Sequence, residues 1–293
     1  MMKWPLAAGF LLAWLPALAQ ATPTKCASCA AWNAPQAPFR IYGNTYYVGT
    51  HALSSILITS DQGLVLIDGD LAESVPQITD HIHALGFRPQ DIKLILNSHA
   101  HFDHAAGIAG LQHLSGAKVA ASPWSADVLR RGTTAPDDPQ YGLAPAPMQA
   151  VPKVDAIRDG QTLRVGPLTL TAHFTPGHTP GGTSWSWVSC EQQRCLHIVY
   201  ADSLTAVSAD NYRYTDHPDL VAGFEKSFAT LETLPCDILL TPHPGFSNLL
   251  GRLAARDKGG KPDAFIDAGA CKKLAQSSRE DLAKRLNREK AGK

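Results

Sequence analysis

The sequence lacks an excess of either charge. Its 26 lysines and arginines stand against 26 aspartates and glutamates, and no basic patch with interleaved aromatics stands out, which excludes nucleic acid as a partner. Beyond its first twenty residues it also lacks any run apolar enough to cross a bilayer. No short repeat period is visible, and only the C-terminal tail is low in complexity. Cysteines are few, six in all.

The N-terminus supplies the one long apolar stretch. "MMKWPLAAGFLLAWLPALAQ" carries a single lysine, then apolar residues from Leu6 to Leu18, then "ALA" ending at Ala19. That order reads as a secretory signal over residues 1–19, too short for a comfortable membrane span. It implies a periplasmic address, no membrane anchor after signal removal, and one domain over residues 20–293, long enough to bury a large core. In an exported chain the cysteines suggest disulfides. Cys190 and Cys195 bracket "EQQR" between two strand-like runs and would staple a hairpin. Cys236 and Cys271 would tie the last core strand to the C-terminal helix. Cys26 and Cys29, in "CASC", read as a local disulfide or as two loosely held thiols.

Strand patterns dominate from Phe39: "FRIYGNTYYVGT", then "SSILITSDQGLVLIDGD" with a hairpin turn at Asp61-Gln62-Gly63. "ESVPQITDHIHALGF" has helical periodicity, "DIKLILNS" is a buried strand, "AAGIAGLQHLSG" a helix beginning just beyond His104, and "AKVAAS" a further strand. The Pro- and Gly-rich "RRGTTAPDDPQYGLAPAPMQAVPKV" is too long for a plain connection and reads as a functional lid or wall. Strands resume in "QTLRVGPLTLTAHFT", "GTSWSWVS" and "LHIVYADS". The amphipathic "LVAGFEKSFATLETL", the strand "DILLTPHP" and the polar helix "SREDLAKRLNREKAGK" follow. Two successive β-then-α halves predict an α/β fold of two sheets packed face to face with helices outside.

Chemistry concentrates where "DIKLILNS" ends. "NSHAHFDHAAG" places His99, His101, Asp103 and His104 within six positions, at a strand end running into a helix start, where α/β proteins keep their sites. Imidazole and carboxylate suit zinc, and the spacing allows two ligand sets. His178, in "FTPGHTPGGTSW", and His243, in "LLTPHPG", also stand at strand ends between turn residues. His81 and His83 lie on one helix at a spacing that shares no face. His113, His173, His197 and His217 have no ligand context, and His51 reads as structural or solvent-facing.

H-x-H-x-D-H, a histidine between Pro-Gly turns, "ADS" and a histidine after the last strand together resemble the metallo-β-lactamase superfamily. "YGNTYYVGT", "SHAHFDHAAG", "TPGHTPGGTSWSW", "YADSLTAVS" and "TPHP" resemble its third subclass of lactamases, over about Trp32 to Cys271. The resemblance implies an αββα sandwich of two packed mixed β-sheets with helices on the outer faces. It implies two Zn2+ per chain, one on His99, His101 and His178 and the other on Asp103, His104 and His243. A hydroxide between the ions, positioned by Asp103, would be the nucleophile, opening the β-lactam amide and conferring antibiotic resistance. Ser203 and Thr205 would hold the substrate carboxylate, and Gln140 matches a residue that in some members faces the β-lactam carbonyl. The expected partner is a small β-lactam, and the expected state a monomer. Some relatives pair an N-terminal cysteine with one in the segment matching "GTHALSS", where this chain has His51. Two alternatives stand: a di-zinc lactonase or thioesterase, in which an aspartate matching Asp202 bridges the metals, and a periplasmic zinc-binding protein without turnover.

Overall fold

Period-two alternation builds two sheets. In the computed structural model, which describes residues 24–144 and 147–292, the stretch read as a secretory signal, 1–19, lies outside the described residues. Strands β1 (Phe39–Tyr42), β2 (Thr45–Tyr47), β3 (Ile56–Ser60) and β4 (Gly63–Ile67) pair antiparallel in chain order. Strands β5 (Ile92–Leu96), β6 (Lys118–Ala121) and β7 (Asp155–Ala156) extend that sheet in parallel. The second sheet holds β8 (Thr162–Val165), β9 (Leu168–Phe174), β10 (Thr183–Glu191) and β11 (Arg194–Tyr200), all antiparallel, with β12 (Ile238–Leu240) parallel to β11. Among the described residues the helices are α1 (Cys29–Trp32), α2 (Val75–Ala84), α3 (Phe102–Ala105), α4 (Ile108–Ser115), α5 (Pro123–Arg131), α6 (Pro218–Thr233), α7 (Leu249–Gly259) and α8 (Ala270–Lys290).

Successive strand residues point to opposite faces, so each sheet serves two cores. Ile56, Ile58, Val65 and Ile67 meet Leu170, Trp185, Trp187 and Ile198 between the sheets. Leu57, Leu64, Leu66 and Ile95 face outward onto Ile78, Ile82, Ile108 and Val128 from α2, α4 and α5. Val199 and Leu239 lie under Phe224 and Phe228 of α6 and Leu282 of α8. The result is the αββα sandwich. No helix among the described residues is long and apolar enough to cross a membrane.

Four elements differ from the sequence expectation. The helix expected beyond His104 is preceded by the one-turn α3, which already contains Asp103 and His104; a single turn is too short to show periodicity. Helix α5 was missed, although Ser122 Oγ accepts from Ser125 N, Pro123 opens the first turn and Gly132 closes the last in the left-handed region. Helix α7 was missed too, and α8 begins at Ala270, ahead of the expected start.

All three disulfides are formed: Cys26–Cys29, Cys190–Cys195 across the β10–β11 pair, and Cys236–Cys271 from the entry of β12 to α8. The last closes a separation of 35 residues. By loop-closure entropy, replacing both of its cysteines by alanine is expected to cost about 3–4 kcal/mol, measured by denaturant unfolding.

Candidate metal centre

The end of β5 is held rigidly before it delivers its histidines. Asp68, wholly buried and in the left-handed region at φ 60°, accepts from Asn97 Nδ2 at 3.1 Å, Ser98 N at 2.8 Å and Ser98 Oγ at 2.6 Å. Asn97 Nδ2 also donates to the His99 carbonyl at 2.7 Å. The α3–α4 junction then seats on the loop after β4, where Gly107 N donates to the Asp70 carbonyl. A Cβ on Gly107 would collide with the Gly69 carbonyl, so only glycine allows this approach.

Each histidine of the first group is oriented from behind. His99 Nδ1 donates to Asp202 Oδ1 at 2.7 Å, His101 Nε2 meets both Asp138 oxygens at 3.1 Å, and His178 Nδ1 donates to the Thr205 carbonyl at 2.8 Å. The remaining nitrogen of each ring is left for another partner, and one nitrogen from each of His99, His101 and His178 lies within 4.8 Å of the other two. Asp103, His104 and His243 form a second group on the same criterion. Asp103 Oδ2 lies 3.2 Å from His104 Nε2 and 3.3 Å from His243 Nε2, and His243 Nδ1 donates to the Ala52 carbonyl at 3.0 Å.

Burial favours the neutral, metal-binding form of His99, His104 and His178, whereas against burial Asp138 raises His101 and Asp103 raises His243. Burial, then repulsion from neighbouring histidines, pushes His99 well below its ordinary value and His178 down to about 3. Against the penalty of burial, His104 and His243 hold the Asp103 carboxyl well below its usual range. Neutral imidazoles and an ionised carboxylate are ligand forms. His99 Nε2 and His104 Nδ1 are buried without a hydrogen-bond partner among the described residues, and an orphaned lone pair on His99, aimed into a cluster of nitrogens, fits a cation. Nitrogen and oxygen donors without thiolate, with four of the five rings braced from the far side, suit zinc.

The expected substrate residues sit beside the first group. Gln140 Nε2 lies 3.3 Å from His178 Nε2, and its backbone N–H donates to Asp138 Oδ1 at 2.7 Å. Thr205 meets His178 Nδ1 with its hydroxyl at 3.1 Å, on the side of the ring away from Nε2. Ser203 is nearly buried. In the described parts of the long loop, the Pro139 carbonyl accepts from Ala209 N and the Gly132 carbonyl from Met148 N.

The sequence reading missed Asp138 and the brace supplied by Asp202. Asp138 stands in "DDPQY", next to Gln140, and nothing in its spacing marks it as a histidine partner. Asp202 belongs to neither ligand group. Its Oδ1 takes His99 Nδ1, and its Oδ2 lies by Gly182, buried without a hydrogen-bond partner among the described residues. Burial raises this carboxyl to about 6. Open grooves of about 720 and 740 Å³ lie on the outer face of the second sheet and at one edge of the sandwich, and contain none of these residues.

Comparison with known proteins agrees with this geometry. The family model described as metallo-beta-lactamase superfamily matches residues 48–191. The solved structure of Rm3 metallo-beta-lactamase is 53% identical, covers 91% of this chain and 99% of its own, and superposes with a TM-score of 0.88. MEM-A1, a subclass B3 metallo-beta-lactamase from a soil metagenome library, is 49% identical over 89% of this chain and 100% of its own, with a TM-score of 0.86. A hydroxyacylglutathione hydrolase of Cereibacter sphaeroides is more distant, 25% identical over 73% of this chain and 72% of its own length. With the fold, both ligand groups and whole-chain similarity in agreement, the chain belongs to the metallo-β-lactamase superfamily and, within it, to subclass B3.

Proposed function

We propose that the protein is a zinc-dependent β-lactamase that opens the amide ring of penicillins, cephalosporins and carbapenems and so confers antibiotic resistance. One observation carries this reading over a thioesterase of the same fold: Asp202 Oδ1 accepts from His99 Nδ1, behind the ligand nitrogen, and Asp202 belongs to neither ligand group. His99, His101 and His178 would hold one zinc and Asp103, His104 and His243 a second. Zinc there supplies positive charge that polarises a carbonyl and makes water acidic enough to attack near neutral pH.

The chain's own residues supply the rest. Asp103 provides the negative charge of the second trio and orients the attacking water. Asp138 fixes the His101 ring and, through the Gln140 backbone N–H, the wall beside it. That places the Gln140 amide at the mouth of the first trio, where it can donate to a developing oxyanion. Ser203 offers a hydroxyl to the substrate carboxylate. Thr205 assists through its carbonyl and hydroxyl on His178 Nδ1. Three disulfides support export to the periplasm.

Metal analysis of the purified protein tests the ligand assignment: two zinc ions per chain are expected, and a single ion at saturation would overturn the second trio. Ser203→Ala is expected to raise KM for carboxylate-bearing β-lactams roughly tenfold, the worth of one charge-assisted hydrogen bond, with zinc content unchanged. An unaltered KM would remove Ser203 from the substrate site.

A further inference from the structure

The C-x-x-C segment at the N-terminus has no part in the chemistry above, yet it lies against the second trio. His243 is the most open ligand, with a quarter of its side chain exposed, whereas His104 and Asp103 are at 1% and 10%. Trp32, at the end of α1, covers it: the two ring centroids are 5.5 Å apart, and Trp32 also packs on Phe102, which immediately precedes Asp103, at 6.2 Å. The same residue acts through its backbone. The Trp32 carbonyl accepts from Ala52 N at 3.3 Å and Thr50 Oγ1 at 2.6 Å, and the Ala52 carbonyl accepts His243 Nδ1. Trp32 therefore reaches His243 twice, by ring packing and through the 50–52 loop.

The segment is fastened at several points. Cys26–Cys29 closes it, and Cys29 is buried against Leu53 and Leu71. Thr24 donates to both oxygens of Glu73 through its N–H and hydroxyl at 2.8 Å. Ser74 Oγ donates to Asn33 Oδ1 at 2.6 Å, and His51 N to the Ala34 carbonyl at 2.8 Å. So many tethers on so short a stretch hold one indole in place over one ligand.

We propose that the disulfide-closed strap of residues 24–34 is a positioning element for the second metal, with Trp32 setting the orientation of His243 and Cys26–Cys29 holding Trp32 there. The inference rests on the second trio being a metal site. His243 has neither a carboxylate behind it nor full burial around it, and besides Phe246, whose ring centroid lies 6.3 Å away, this strap is what holds its orientation. Loosening the strap weakens the second ion and leaves the first, whose histidines are braced by Asp202, Asp138 and Thr205.

The test is metal titration of the full chain against a chromophoric chelator, with cobalt substitution to follow the two sites separately by their absorption. Trp32→Ala and the pair Cys26→Ser with Cys29→Ser are each expected to lower second-ion affinity roughly tenfold, the low end of the range for ligand-supporting groups. First-ion affinity should stay within about twofold, and Trp32→Phe, which keeps a ring over His243, should recover most of the loss. Equal weakening of both ions would mean general destabilisation and overturn the proposal, as would unchanged second-ion affinity in Trp32→Ala. Wild-type protein that binds only one ion would defeat the two-metal reading itself, a separate outcome.

Discussion

Asp103→Ala is expected to lower kcat/KM for a penicillin by roughly a hundredfold to a thousandfold, the range seen when one group stabilising transition-state charge is removed. Asp103 is the only anion among the six ligands. Its carboxylate is held ionised between His104 and His243 despite burial, so its loss leaves two neutral imidazoles facing a dication. The second ion should dissociate while the first, bound by three histidines, stays. Steady-state kinetics paired with metal analysis reads both effects, and a variant that kept two ions and wild-type turnover would refute the assignment.

The next largest effect belongs to Asp202. Asp202→Ala strips the wholly buried His99 Nδ1 of its acceptor, and a first-ion affinity lower by roughly tenfold to a hundredfold is expected. Asp202→Asn keeps an acceptor oxygen for the same N–H, and should retain most of that affinity. A bridging carboxylate would behave differently, because the amide is a poor metal ligand and both ions would weaken in either variant. Equilibrium dialysis of the two variants separates the arrangements, and joint loss of both ions in Asp202→Asn would contradict the bracing role.

The two candidate trios were legible because most of their residues are dense in sequence. Four donors in six positions leave few other physical explanations, and His178 and His243 stand out by their proline and glycine neighbours at strand ends. The sandwich was legible for a similar reason, since β9 and β10 alternate apolar and polar residues while β3 and β4 are short apolar runs buried on both faces. What stayed hidden depends on contacts between distant segments. Asp138 and His101 are 37 positions apart, and Asp202 and His99 103 apart, so no local pattern announces either pair. Trp32 is hidden in the same way, because its ring meets a histidine from the other end of the chain. α3 escaped because one turn has no period to detect, and α5 because its cap lies just before a Pro- and Gly-rich loop that dominates the local composition.

The substrate assignment is the central claim, and one side-by-side assay tests it. Purified zinc-loaded protein is given a penicillin, a carbapenem and an S-acylglutathione thioester, with and without chelator. The account predicts that both β-lactams are opened with kcat/KM at least about a hundredfold above that for the thioester, a margin of roughly 2.7 kcal/mol in transition-state binding. It also predicts that chelation abolishes this turnover and that added zinc restores it. Thioester hydrolysis faster than that of either β-lactam would contradict the account while leaving the metal centre in place.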